Sequence, residues 1–140
     1  MDGGALSRCI QVRLLFVCVE NSCRSQMAQA FAIMAGVEAL SAGSKPSGVV
    51  HPKAIASMAE LGYDLSTHLS TSVGELPDVA FDLVVTMGCG DACPNVPARM
   101  REDWEIPDPK HLDTRAFAGV RDQIAHAVAD ALRRLHEDST

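Results

Sequence analysis

Residues Cys18-Val19-Glu20-Asn21-Ser22-Cys23-Arg24-Ser25 follow directly on the apolar run Arg13-Leu14-Leu15-Phe16-Val17. A short strand that ends at a cysteine, turns, and enters a helix opening on arginine and serine would hold a tetrahedral oxyanion. The N–H groups of the turn and the positive end of the helix point at the anion, and Arg24 adds a fork of donors. The binding stretch expected on this reading is Val19, Glu20, Asn21, Ser22, Cys23, Arg24 and Ser25. Cys18, at the floor of the cradle, is expected as the thiolate and so as a nucleophile facing a bound substrate. The competing reading is a buried cysteine at a strand end beside a surface arginine. The preceding strand, Ser25 and the helix-like Gln26-Met27-Ala28-Gln29-Ala30-Phe31 weigh against it.

A second group of thiols lies in Thr86-Met87-Gly88-Cys89-Gly90-Asp91-Ala92-Cys93-Pro94. The two glycines and the proline argue against a settled helix. A loop that changes shape could carry Cys89 to Cys18 in one state and to Cys93 in another, which would be a redox relay. Two other readings stand beside it. One is a pair of packing cysteines. The other is zinc held by Cys18, Cys23, Cys89 and Cys93, although the spacings do not match paired knuckles and Arg24 is a poor neighbour for a cation. A third component, Asp108-Pro109, places a carboxylate in a turn, where it would serve as proton donor to a leaving oxygen or be a solvated turn residue.

The elements that must position these groups alternate along the chain. Arg13–Val17, Ala39–Ser41, Asp82–Thr86 and Arg101–Glu105 read as strands. Ser25–Ala35, Pro52–Leu61 and Thr114–His136 read as helices. Met27, Ala30, Phe31 and Met34 would form the buried stripe of the first helix, and Gly36 its stop. Phe117, Val120, Ile124, Val128, Leu132 and Leu135 form that of the last. Strands alternating with helices imply an α/β fold, a single-domain parallel four-stranded sheet flanked by helices on both faces. Ligands of such folds bind beyond the carboxyl ends of the strands. Cys18 and the loop after Val85 would share that edge.

The 140 residues suit one domain, expected over 13–140 behind a mobile leader over 1–12 that includes Cys9. Apolar residues make up 47% of the chain, which excludes disorder, and no run is long enough for a membrane span. A net charge of −6 argues against a general nucleic-acid surface, so an anion must be attracted by local groups. The odd count of five cysteines, with no export signal ahead of them, fits a reducing cytoplasm.

Taken together, Cys18…Asn21-Ser22-Cys23-Arg24-Ser25-Gln26-Met27-Ala28, Ser41-Ala42-Gly43, His51-Pro52-Lys53-Ala54-Ile55, Val84-Val85-Thr86-Met87, Cys93-Pro94, Trp104 and Asp108-Pro109 are a specific set. On it, the chain resembles the thiol-dependent arsenate reductases built on the low-molecular-weight protein tyrosine phosphatase fold. The resemblance implies a triple-cysteine mechanism with Cys18, Arg24, Cys89, Cys93 and Asp108 as catalytic residues. It implies no cofactor and no resident metal, only an external thiol reductant. Thioredoxin is the expected donor, with mycothiol or glutathione with glutaredoxin as alternatives. A phosphatase acting on phosphotyrosine or small phosphate esters is the rival reading, using Cys18, Arg24 and Asp108 alone. A metalloid-binding regulator is a third, disfavoured because no basic DNA-reading helix is visible.

The sequence departs from the pattern at several points. Glu20 replaces a glycine, so its carboxylate is expected to point out of the cradle. The segment between Cys89 and Cys93 is short. Gln29 and Thr71 stand where potassium-binding members carry acidic residues, while Asn21 and Ser41 are retained. Lys110 follows Asp108-Pro109 where tyrosine phosphatases often place an aromatic residue. His51 and His68 read as helix-start or turn residues, Trp104 as packing behind the Asp108 loop, and Arg99 and Arg101 as a solvated surface.

Overall fold

The structure, a computed structural model, describes residues 12–88 and 96–138. Cys9, Cys89 and Cys93, and all of the expected leader except Val12, lie outside the described residues.

Arg13–Cys18 forms β1, and its last five residues are buried. Arg24–Met34 is α1, Glu38–Gly43 β2, Pro52–Ala59 α2, Phe81–Thr86 β3, Ala98–Asp103 β4 and Thr114–Asp138 α3. The four strands are parallel in the order β2-β1-β3-β4. The two central strands carry continuous apolar runs, 14–18 in β1 and 83–85 in β3, because both of their faces are covered there. β4, at an edge, alternates between half-buried and exposed positions.

The side chains of Leu14, Phe16, Leu83 and Val85 lie on one face, packed with Met27 of α1, Met58 of α2, and Phe117, Ile124 and Val128 of α3. Leu15, Val17 and Val84 lie on the other face with Phe81 and Ala42. Among the described residues, the helical cover of that second face is one 3-10 turn, Val73–Glu75, with Leu76 and Val79 beside it.

Local signals set the boundaries. Gly36 stops α1 at φ +89°. Pro52 opens α2 behind His51, whose Nδ1 accepts from the N–H of Lys53 at 3.1 Å. Asp113 caps α3 through the N–H of Ala116 at 2.8 Å.

Two sequence readings need correction. Met34 is 48% exposed, so the stripe of α1 ends before it; Ala28 and Ala32 are buried in its place, since α1 is sunk into the molecule on several sides. The last strand is Ala98–Asp103 and stops before Trp104. The indole instead packs on Phe16 with centroids 5.9 Å apart and donates to Glu102 at 2.8 Å. Hydrophobicity and bulk put the half-buried Trp104 against the core whether or not the strand continues.

Candidate active site

The sheet register brings Cys18 opposite Gly43, Val17 opposite Thr86 and Thr86 opposite Asp103. The carboxyl ends of all four strands therefore share one edge. The cavity there has a volume of about 310 Å³, and Cys18, Glu20, Ser22, Cys23, Arg24, Gly88 and Asp108 line it with Val19.

The loop after β1 wraps this cavity in a defined sense. The carbonyl of Val19 accepts from the N–H of Lys45, that of Glu20 from Ser47, that of Ser22 from His51 and that of Cys23 from Met27. The Asn21 carbonyl accepts from the side chain of Gln26 at 3.0 Å. Each of these partners lies outside the bowl, so five successive carbonyls are drawn away from the cavity. In a trans peptide the next N–H points opposite to the carbonyl, and the described chain has no cis bond. The amides of Glu20, Asn21, Ser22, Cys23 and Arg24 therefore face inward. α1 adds its own free N-terminal amides, because no side chain caps it and no acidic residue stands in its first turn.

The curvature of the loop requires two special residues. Asn21 sits at φ +51°, a left-handed conformation that asparagine tolerates better than most residues. It is fully buried, and its Oδ1 accepts from the N–H of Thr71 at 2.7 Å and from Gln26 Nε2 at 3.1 Å. Gly43 lies under the loop, where a Cβ would stand 2.6 Å from the Val19 carbonyl oxygen and 3.0 Å from the Asn21 nitrogen.

Ser25 contacts the sulfur at the floor of the bowl. Asn21 Nδ2 donates to Ser25 Oγ at 2.7 Å, which directs the serine's single hydrogen toward Cys18 Sγ, 2.9 Å away. The serine hydroxyl thus donates a hydrogen bond to the sulfur. Cys23 is the second free thiol of the bowl; burial pushes its pKa up to about 12, so it stays neutral. Arg24 is buried, donates to the Ile106 carbonyl at 3.0 Å, and lies 3.9 Å from Asp108 Oδ2. The same guanidinium passes under Gly88, where a Cβ would meet Nη1 at 2.7 Å.

The structure thus gathers Cys18, Val19, Glu20, Ser22, Cys23, Arg24 and Asp108 around the cavity, whereas Asn21 and Ser25 do not line it and are buried behind the loop. Cys89 and Cys93 lie outside the described residues. Glu20 lines the cavity wall, and its carboxylate is held by Lys110 at 2.8 Å and neutralised there.

Sequence reasoning missed His68. The reading as a turn residue is incomplete, because its Nδ1 meets Gln26 Oε1 at 2.9 Å and its Nε2 meets the Tyr63 hydroxyl at 2.6 Å. An amide oxygen only accepts, so Nδ1 carries the proton and Nε2 receives the tyrosine's. Burial lowers the pKa of His68 and favours this neutral form. A chain of hydrogen bonds then runs from Tyr63 through His68, Gln26, Asn21 and Ser25 to Cys18. No local pattern announces it, since 42 residues separate His68 from Gln26. Lys53 was missed as well. Its Nζ donates to the Leu112 carbonyl at 2.7 Å and lies 3.4 Å from that of Lys110, pinning the loop that carries Asp108.

The positions where a potassium ion could sit are satisfied internally. Ser41 Oγ donates to Gln29 Oε1 at 2.6 Å, and Gln29 Nε2 donates to the Ala39 carbonyl at 3.1 Å. Gln29 and Thr71 are neutral, so neither supplies a carboxylate at these positions. Among the described residues, no group of three or more His, Cys, Asp or Glu is placed to hold a metal ion. No described helix is long and apolar enough to cross a membrane.

Comparison with known proteins agrees with this geometry. The low molecular weight phosphotyrosine protein phosphatase family matches residues 13–140. A glutaredoxin arsenate reductase of Synechocystis is 36% identical over 128 residues, covering 88% of this chain and 98% of that protein. An arsenate reductase solved in its phosphate-binding state superimposes with a TM-score of 0.79 at 34% identity, covering 89% of this chain and 99% of that one. The thioredoxin-dependent arsenate reductase of Corynebacterium glutamicum gives a TM-score of 0.74 at 31% identity, covering 91% of this chain and 63% of that one. On the family match over residues 13–140 and these relatives, the chain belongs to the low molecular weight phosphotyrosine protein phosphatase family, among its thiol-dependent arsenate reductases.

Proposed function

We propose that this protein reduces arsenate to arsenite with residues 13–140 as the catalytic unit. Arsenate enters the bowl and is held by the inward amides of Glu20 to Arg24 and by the Arg24 guanidinium. The Cys18 thiolate attacks arsenic, forming a sulfur–arsenic bond, while the displaced oxygen leaves as water with a proton from Asp108. Cys89 then attacks the Cys18 sulfur. A Cys18–Cys89 disulfide forms, and the sulfur–arsenic electron pair departs with arsenic as arsenite. Cys93 attacks Cys89, closing a Cys89–Cys93 disulfide and restoring the Cys18 thiolate. An external dithiol reduces that disulfide, so arsenic gains two electrons and the donor loses two.

The observation that carries this reading is the set of five outward carbonyls around a serine-supported sulfur. Support for the later thiols comes from Gly88, which lines the bowl and is bonded directly to Cys89. The donor class is a thiol protein of the thioredoxin or glutaredoxin kind, the two named among the relatives. A small thiol such as mycothiol remains the alternative. Free thiols at Cys18 and Cys23 suit a reducing cytoplasm.

Phosphate-ester hydrolysis is the second reading. Cys18, Arg24 and Asp108 suffice for it, and they stand together here. The chain's single tryptophan is committed to Phe16, which leaves little to build an aromatic slot. Disulfide mapping after one turnover with arsenate separates the readings. The relay predicts arsenite release with a Cys89–Cys93 bridge in the wild type, and a trapped Cys18–Cys89 bridge in Cys93→Ser. Arsenite release that survives in both Cys89→Ser and Cys93→Ser, or a Cys18–Cys23 bridge as the product, would overturn it.

A further inference from the structure

Glu20 and Lys110 are 90 residues apart in sequence, yet Lys110 Nζ meets Glu20 Oε2 at 2.8 Å. Glu20 belongs to the cradle and lines the cavity. Lys110 belongs to the loop of the carboxylate on the other wall, and its N–H donates to Asp108 Oδ1 at 3.2 Å. The pair therefore joins two walls of one cavity. Both ends rest on anchored backbone. Ser47 and Ser70 donate to the Glu20 carbonyl at 3.0 and 3.2 Å, while Lys53 holds the carbonyls of Lys110 and Leu112. The ion pair with Glu20, first through its hydrogen bond, raises the pKa of Lys110 and keeps its ammonium charged.

Resting on the reading above, we propose that the Glu20–Lys110 pair is a strap that selects inorganic oxyanions over their organic esters. An inorganic tetrahedral anion fits wholly within the bowl. An ester carries a substituent that must project past the rim, between the walls that the pair joins, so it enters only by opening the strap. The pairing has a second effect. It neutralises the Glu20 carboxylate, which would otherwise repel any anion approaching Arg24. Lys110 is thus a specificity-determining and positioning residue, not a catalytic one.

Protection of Cys18 from iodoacetamide, followed by mass spectrometry, measures binding without turnover. Inorganic phosphate and phenyl phosphate are the probes, and the ratio of their protection constants is the readout. A half-exposed ion pair is worth a factor of about five, so Glu20→Gly should shift the ratio toward phenyl phosphate by about fivefold. Glu20→Gln, which keeps the backbone restricted, should shift it in the same direction. Lys110→Met, which leaves a bare carboxylate, should weaken both probes. The charge swap Glu20→Lys with Lys110→Glu should restore the wild-type ratio. In the wild type, added sodium chloride should move the ratio toward the ester, because salt screens a half-exposed pair. A ratio unchanged in both Glu20 variants, or a charge swap that behaves like Glu20→Gly, overturns the strap. Absence of arsenite release would instead refute the reductase reading and leave the binding ratio untouched.

Discussion

Replacing Gly43 by alanine tests the architecture of the bowl more directly than removing any catalytic group. Gly43 is not in a left-handed conformation, so backbone freedom is not what the position demands. Space is. The added methyl would lie 2.6 Å from the Val19 carbonyl oxygen and 3.0 Å from the Asn21 nitrogen, both backbone atoms. Neither can rotate away, and the Val19 carbonyl is also tied to Lys45 at 2.8 Å. Restoring an ordinary contact requires the loop to move by roughly 0.7–0.9 Å. A misplacement of about 1 Å in a catalytic constellation costs on the order of a hundredfold, so arsenate turnover should fall by about 20- to 80-fold. Overpacking of this kind also costs about 1–3 kcal/mol. In a chain of this size that lowers Tm by about 3–10 °C. The matched control is Gly119→Ala in α3, where nothing lies within 4 Å of the new methyl. There alanine should stabilise the helix by about 0.5–1 kcal/mol. Thermal unfolding, and phosphate protection of Cys18 from alkylation, are the assays. Wild-type phosphate protection in Gly43→Ala would refute the claim that this glycine sets the shape of the bowl.

Two further outcomes are expected. Lys53→Met removes the charge-assisted bond to the Leu112 carbonyl, worth about 1.5–3 kcal/mol, with the longer 3.4 Å contact to the Lys110 carbonyl, and frees the Asp108 loop. Single-turnover arsenate reduction should slow about tenfold while phosphate protection of Cys18 changes less than threefold, an estimate from losing proton donation but not the bowl. An equal loss in both would assign Lys53 to binding. Acidification should destabilise the fold through His68. Its folded pKa lies below the ordinary value near 6.5, so the unfolded chain binds the extra proton first; the stability is complete above that value and is lost as pH falls through the folded pKa. Urea midpoints measured between pH 7 and pH 5 should fall more steeply for wild type than for His68→Gln, and parallel slopes would show that the Tyr63–His68–Gln26 chain carries no such linkage.

Much of the chemistry was legible because it is local. A strand ending at Cys18, a turn, and Arg24 at the start of a helix occupy a short contiguous stretch, where spacing alone controls which groups can meet. The sheet was legible for a related reason: a parallel sheet covered on both faces requires continuous apolar strands, and β1 and β3 carry such runs. Gly36 and Pro52 marked helix ends through backbone preferences that operate in any context. Met34 failed because a periodic stripe records which side of a helix is apolar, not where the neighbouring surface stops.

The amino-acid sequence by itself determined the strand ending at Cys18, the turn into Arg24 at a helix start and the alternating order of elements, since each depends on residue type and on neighbours a few positions away. Only the tertiary structure decided how the cradle is held. His68 reaches Gln26, Lys53 reaches Leu112, and Lys110 reaches Glu20 across separations of 42, 59 and 90 residues. Contacts of that kind arise because the parallel sheet brings the carboxyl ends of its four strands to one edge, and the connecting loops are packed together there by the burial of the core.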